Sequence, residues 1–228
     1  MKTILTILIP LFCISFSWAK TEAAPSKKAA TVTKAPEKKV TLQELTLAAL
    51  NGKEKPITTA LKQGFSVNKQ DAQKRTLLMY AAFNGHTNII QILLTAGANV
   101  NTTDESGSTA LMFAASGKNL PAVKLLVKKG AKVNAIDTNE HWTPLMWAAA
   151  EGQTEIVSYL LKKGANPALK DVDGDTAESF ATSKKHPEVV QVIQNHIKNR
   201  KKQTMRLTEK TNLFGRKKSV NQKSEDKK

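Results

Sequence analysis

The 228-residue chain contains a single cysteine, Cys13. Everything after it lacks a thiol, which excludes a disulfide framework and cysteine-ligated metal from the rest of the chain. Aromatic residues are 5% of the total, so a core must be built mainly from aliphatic side chains and alanine. Histidine is equally sparse, and His86, His141, His186 and His196 offer no ligand partners at useful spacing. No Gly-rich phosphate loop, Gly-x-Ser-x-Gly turn or His-Glu-x-x-His helix is present. The run Asp171-Val172-Asp173-Gly174-Asp175 resembles a calcium loop, but Thr182 stands where its bidentate glutamate is needed. With no converging set of reactive groups, the chain is expected not to be an enzyme and to hold no cofactor or metal.

Long apolar runs are missing too, with one exception at the start. Lys2 is followed by an apolar stretch from Ile4 to Phe16 and by Ser17-Trp18-Ala19, with small residues where a signal peptidase cuts. Residues 1–19 are therefore expected to be a cleaved signal peptide rather than a membrane span, leaving no transmembrane segment in the mature chain. Residues 20–40 are rich in Ala, Lys, Thr and Pro and predict a disordered linker. Residues 200–228 are polar and basic and predict a disordered tail.

Between these ends the sequence repeats. Asp71–Asn101 and Asp104–Asn134 align at a spacing of 33, with Thr76 on Thr109, Ala81-Ala82 on Ala114-Ala115 and Gly97 on Gly130. A third copy begins at Asp137, with one extra residue before Thr143. Within a copy, Leu78, Ala81 and Ala82 mark one helical face, and Ile89, Ile90, Leu93 and Leu94 mark another. That is a pair of short amphipathic helices turned at Asn84-Gly85, and such a unit buries both faces only by stacking on neighbours. Weaker copies flank the three, one through Ala48-Ala49 and Gly64, the other through Thr176, Ala181 and Val189-Val190. Glu178 and Ser179 make the last copy more polar, as the end of a stack requires.

Thr143-Pro144-Leu145, the Ala-Ala pairs, Gly85-His86 and the Gly-Ala-x-Val-Asn endings resemble the ankyrin repeat. The resemblance implies an all-α solenoid over residues 41–199. Its five stacked helix-turn-helix repeats would span about 41–70, 71–103, 104–136, 137–170 and 171–199, with hairpin loops between them and the outer two as caps. It also implies that His86 and His186, beside the inter-helix turns, bond to backbone rather than act chemically. Met79, Met112 and Met146 replace the histidine the family often places near the first helix start, which predicts a looser start.

Solenoids of this kind bind through a concave groove lined by hairpin tips and first helices. The resemblance assigns to it the hairpin residues Ala72, Gln73, Arg75, Glu105, Ser106, Ser108, Thr138, Asn139 and Trp142. On the first helices it assigns Phe83, Asn84, Ser116, Gly117, Ala150 and Glu151. Phe83 and Trp142 are large aromatics at positions expected to face solvent, the residue type that anchors interfaces. Tyr80, Phe113 and Trp147 occupy equivalent positions and predict a ladder across three copies, packed between repeats with edges flooring the groove. The irregularities at Gly117-Lys118-Asn119 and Asn139–Trp142 fall in the middle copies, which points to partner contact there.

Charge separates the ends from the body. Residues 41–197 hold 16 basic and 14 acidic side chains, a net of +2, whereas residues 198–228 hold 12 basic and 3 acidic. Of the overall net charge of +16, all but +2 therefore resides in the flanks. A basic folded face for specific nucleic-acid binding is not supported, while the tail suits weak contact with an anionic surface, tethering the chain to lipid, polysaccharide or nucleic acid as an alternative function. The expected function is an exported scaffold that binds another protein in its groove. The style of leader and tether looks bacterial and predicts a Gram-negative periplasmic location, where the chain would protect or organise an envelope protein. Secretion with action on a host protein is the alternative, since both begin with the same signal.

Overall fold

The computed structural model describes residues 40–225. The expected signal peptide, residues 1–19, and nearly all of the linker, 20–39, lie outside the described residues. The described chain forms ten helices, α1 Leu42–Leu50, α2 Glu54–Lys62, α3 Leu77–Phe83, α4 Thr87–Thr95, α5 Ala110–Ser116, α6 Leu120–Lys128, α7 Pro144–Ala150, α8 Thr154–Lys162, α9 Ala177–Ser183 and α10 Pro187–Glu225. They stand as five antiparallel pairs, and among the described residues no strand forms beyond an isolated bridge between Thr103 and Thr109. The all-α solenoid expected from the repeat is the observed architecture.

Local chemistry ends each helix. At the close of α8, Gly164 has φ of 89°, a left-handed conformation that a side chain would strain. Its N–H donates to the Leu161 carbonyl and the Ala165 N–H to that of Leu160, which satisfies the carbonyls left over at the helix end. At the first-helix starts the methionines do more than expected. The Thr109 N–H donates to Met112 Sδ at 3.4 Å, and the Met112 N–H to Thr109 Oγ1 at 3.4 Å. Thr143 and Met146 make the same reciprocal pair, and the Thr76 N–H donates to Met79 Sδ. The thioether thus takes the acceptor role of a capping-box glutamate, so these starts are closed on both sides rather than loose.

Packing explains the curvature. The first helices of each pair form one row, and neighbours in it pack more closely than α2, α4, α6 and α8 do in the row of second helices. Alanine permits this: Ala81, Ala82, Ala114, Ala115, Ala148 and Ala149 are fully buried. The second row carries branched side chains such as Ile90, Val123, Leu126 and Val157, also fully buried. Each contributes about 1.5–3 kcal/mol of burial, and their bulk spreads the row. A stack that is tighter on one side bends toward it, so first helices and hairpins lie on the concave side.

Polar clamps tie the pairs together. His86 Nε2 lies 2.8 Å from the Leu50 carbonyl and His186 Nε2 3.2 Å from that of Ala150, each reaching back to the preceding first helix. Asn68, Asn101 and Asn134 reach forward, donating to the carbonyls of Gly97, Gly130 and Gly164.

One expectation needs correction. The polar stretch beyond Asn199 is helical to Glu225, where composition predicts disorder. Val189 and Ile193 seat the first turns of α10 in the core, which supplies a helix nucleus. Beyond them Lys, Arg, Gln, Glu, Met and Leu are good helix formers, and no proline follows Pro187. All side chains from Lys198 to Arg206 are exposed, so this stretch is held by propensity and not by packing.

Candidate functional site

The concave side begins with the hairpins. Asp71 Oδ1 accepts the N–H groups of Gln73 and Arg75 at 3.0 and 2.8 Å, and Asp104 Oδ1 those of Ser106 and Ser108 at the same distances. Asp171 does likewise for Asp173 and Asp175. These carboxylates fix the tips alongside the backbone bonds that close them, from the Asp71 N–H to the Arg75 carbonyl and from the Asp104 N–H to that of Ser108. Neighbouring tips are also joined by backbone: Glu105 N–H donates to the Gln73 carbonyl, Thr138 N–H to that of Ser106, and Val172 N–H to that of Glu140. The binding loops thus form one continuous edge. The calcium-like run is spent in this way, and among the described residues no group of three His, Cys, Asp or Glu is placed to hold a metal.

Behind the tips runs the aromatic ladder, and it is longer than the sequence indicates. Tyr80, Phe113 and Trp147 are joined by Phe180 at the equivalent position of α9, and all four rings are half-buried. The Tyr80 hydroxyl donates to Asp71. Burial, followed by this hydrogen bond and the negative charge of Asp71, pushes its pKa up to about 12. In the sequence Phe180 is masked by the polar residues around it, yet the 33-residue spacing from Trp147 marks it.

Two further rings complete the strip. Phe83 is exposed at 42% and meets Phe113 edge to face, with centroids 6.4 Å apart. Trp142 does not stand bare on the hairpin, as its position predicts. It folds onto the ladder, 4.8 Å from Trp147 and 4.3 Å from Phe180, and is half-buried. The hairpin with the extra residue reaches far enough inward to allow this, and stacking removes apolar area from water. Arg75 occupies the corresponding place two pairs earlier, its guanidinium 5.7 Å from the Phe113 ring. Its Nε is 3.7 Å from Asp104 Oδ2, an ion-pair distance without a hydrogen bond.

The other assigned residues divide. Gln73, Glu105, Asn139 and Glu151 are exposed, and Ser106 is half-buried at its tip. Ala72 and Thr138 are exposed, and Ser116 and Gly117 half-buried. Asn84 is exposed but its amide donates to the Leu50 carbonyl at 2.7 Å, alongside His86, so part of its role is to join pairs. Ser108 and Ala150 are buried at 8% exposure and offer a partner nothing. Ser108 lies under its hairpin carboxylate, and Ala150 lies against His186 of the next pair.

Comparison with known proteins places this geometry. Residues 45–137 and 135–204 match the family described as Ankyrin repeats (3 copies), more than half of the chain. The chain belongs to the ankyrin repeat family. Over 45 residues it is 51% identical to ankyrin repeat family A protein 2 of Mus musculus, and the Bos taurus and Homo sapiens proteins give the same figures. The match takes in 20% of this chain and 14% of each relative, so the chain spans a small part of their length. Ankyrin repeats are protein–protein interaction modules and typically carry no enzymatic activity. Among the described residues no helix is long and apolar enough to cross a membrane.

Proposed function

We propose that the protein is a non-enzymatic scaffold that takes another protein into the concave face between α3 and α9. The observation that carries this is the strip of six rings, Tyr80, Phe83, Phe113, Trp142, Trp147 and Phe180, held half-open while the aliphatic core is closed. Aromatic residues are scarce in this chain, and concentrating them on one accessible face is how interface anchors are built. Rigid hairpins and helices hold them, so a partner meets a preformed surface with little left to order.

The proposal includes export, supported by the apolar run Ile4–Phe16 and the small residues Ser17 and Ala19. A periplasmic envelope protein is the expected partner, with secretion as the alternative. The test is capture from envelope extract with the full chain and with Phe83→Ala/Trp142→Ala. Helical circular dichroism should be kept, and recovery of the partner should fall at least tenfold, about 1.4 kcal/mol or more. Undiminished recovery by the folded double variant rejects the concave face.

A further inference from the structure

The near-neutral body hides a strong internal polarity. Its first-helix and hairpin segments (41–51, 71–84, 104–117, 137–151, 171–184) carry 3 basic and 11 acidic side chains. Its second-helix and following segments (52–70, 85–103, 118–136, 152–170, 185–197) carry 13 basic and 3 acidic. A net of +2 thus resolves into −8 on the first-helix and hairpin segments and +10 on the second-helix and following segments. Counting along the chain averages this away.

Resting on the proposed use of the concave face, we infer that its occupant is an extended, arginine- or lysine-rich segment of another protein. Glu105, Glu140 and Glu151 are exposed and have no side-chain partner among the described residues. Glu105 and Glu140 sit on adjacent hairpin tips, and Glu151 follows Trp147 by one helical turn, so the three frame the Phe113–Trp147 part of the strip. The exposed cation in equivalent register is Lys184, one pair further on. Charge at the rim and ring faces on the floor are together the means by which proteins recognise a cationic side chain.

The molecule supplies its own precedent. Arg75 lies over the Phe113 ring at 5.7 Å and pairs with Asp104 at 3.7 Å, a guanidinium between rung and carboxylate. At the next rung, Trp147, the residue equivalent to Arg75 is the small Ser108, so the fold provides no cation of its own there. Packed helices stand about 8–10 Å apart, and three residues of an extended polyproline-type chain advance about 9 Å. A basic residue at every third position therefore meets successive rungs.

The test uses the full chain carrying Trp18→Phe, so that tryptophan emission reports on Trp142 and Trp147. The probes are the peptides (Arg-Pro-Ser)4 and (Glu-Pro-Ser)4. With a net charge of +16, bulk electrostatics favours the acidic peptide, so a preference for the basic one identifies the local field. The arginine peptide should shift emission at micromolar concentration and the glutamate peptide should not. Glu105→Lys/Glu140→Lys/Glu151→Lys should weaken the arginine peptide at least tenfold, and the isosteric triple change to Gln should weaken it by less. An equal or larger shift with the glutamate peptide, or unchanged affinity in the lysine triple variant, overturns the inference. If the arginine peptide fails while Phe83→Ala/Trp142→Ala still loses its captured protein, the concave scaffold stands and the cationic occupant falls. If that double variant keeps its protein, both fall.

Discussion

The hydroxyl of Tyr80 gives one rung of the ladder a measurable signature. Its folded pKa of about 12 lies above the ordinary 10.0, so the fold favours the protonated phenol. This contribution to stability is complete below pH 10 and is lost as pH rises through about 12. One tyrosine should titrate near pH 12 by its ultraviolet absorbance, and Tyr80→Phe should remove that transition while costing about 1 kcal/mol. A transition near pH 12 that survives the substitution would refute the assignment. Glycine gives a second residue-scale test. At Gly152, φ is 69° and a Cβ would sit 2.7 Å from the His186 ring, whereas at Gly164, φ is 89° with nothing within 4 Å. Both Ala variants bear the left-handed cost of about 1–2 kcal/mol, but Gly152→Ala also displaces the imidazole that clamps α9 to α7. Its melting temperature should fall further than that of Gly164→Ala, and equal drops would show that the clamp adds nothing.

At the scale of elements, the contrast is between the short helices held by neighbours on both sides and α10, which is seated by Val189 and Ile193 but exposed from Lys198 to Arg206. The short helices α3, α5 and α7 have seven residues each and would not persist alone in water. Reciprocal threonine–methionine caps and burial on both sides hold them. The stretch Lys198–Arg206 of α10 has neither, its side chains being exposed, and is held by helix propensity. Ending the chain after Asn199 should lower the helical dichroism clearly while leaving the thermal midpoint of the body unchanged within about 0.5 kcal/mol of stability. A marked loss of stability on that truncation would mean that the extension packs against something. The expectation of disorder there came from weighing apolar content alone. Propensity and a seated nucleus at Val189 and Ile193 act in the other direction, and neither depends on apolar surface in the tail itself.

For the whole molecule, a linear stack implies graded stability. Helix α5 has neighbours on both sides and buries Ala110, Leu111, Met112, Ala114 and Ala115, whereas α9 buries Ala177 and Ala181. With nearest-neighbour coupling the interior outlasts the end. Amide hydrogen exchange in α9 should therefore be at least tenfold faster than in α5. Uniform protection along the stack would show a single cooperative unit instead. Charge follows the same alternation, since first-helix segments are net acidic and second-helix segments net basic.

The repeat itself was open to sequence reading, because a 33-residue spacing of Thr, Ala-Ala and Gly encodes contacts with the next copy, and such contacts are set by period alone. Helix pairs, turn glycines and the backbone role of His86 and His186 follow from it. What the side chains at the face do was settled only in three dimensions. Whether Trp142 stands in solvent or lies on Trp147 and Phe180 depends on the reach of one lengthened hairpin. Likewise Ala150 shares register with the exposed Phe83, and Ser108 with the half-buried Arg75, yet both are covered by their surroundings. The division of the body's net of +2 into acidic first-helix and basic second-helix segments also acquires a direction only in the fold, because charge sums along a chain carry none.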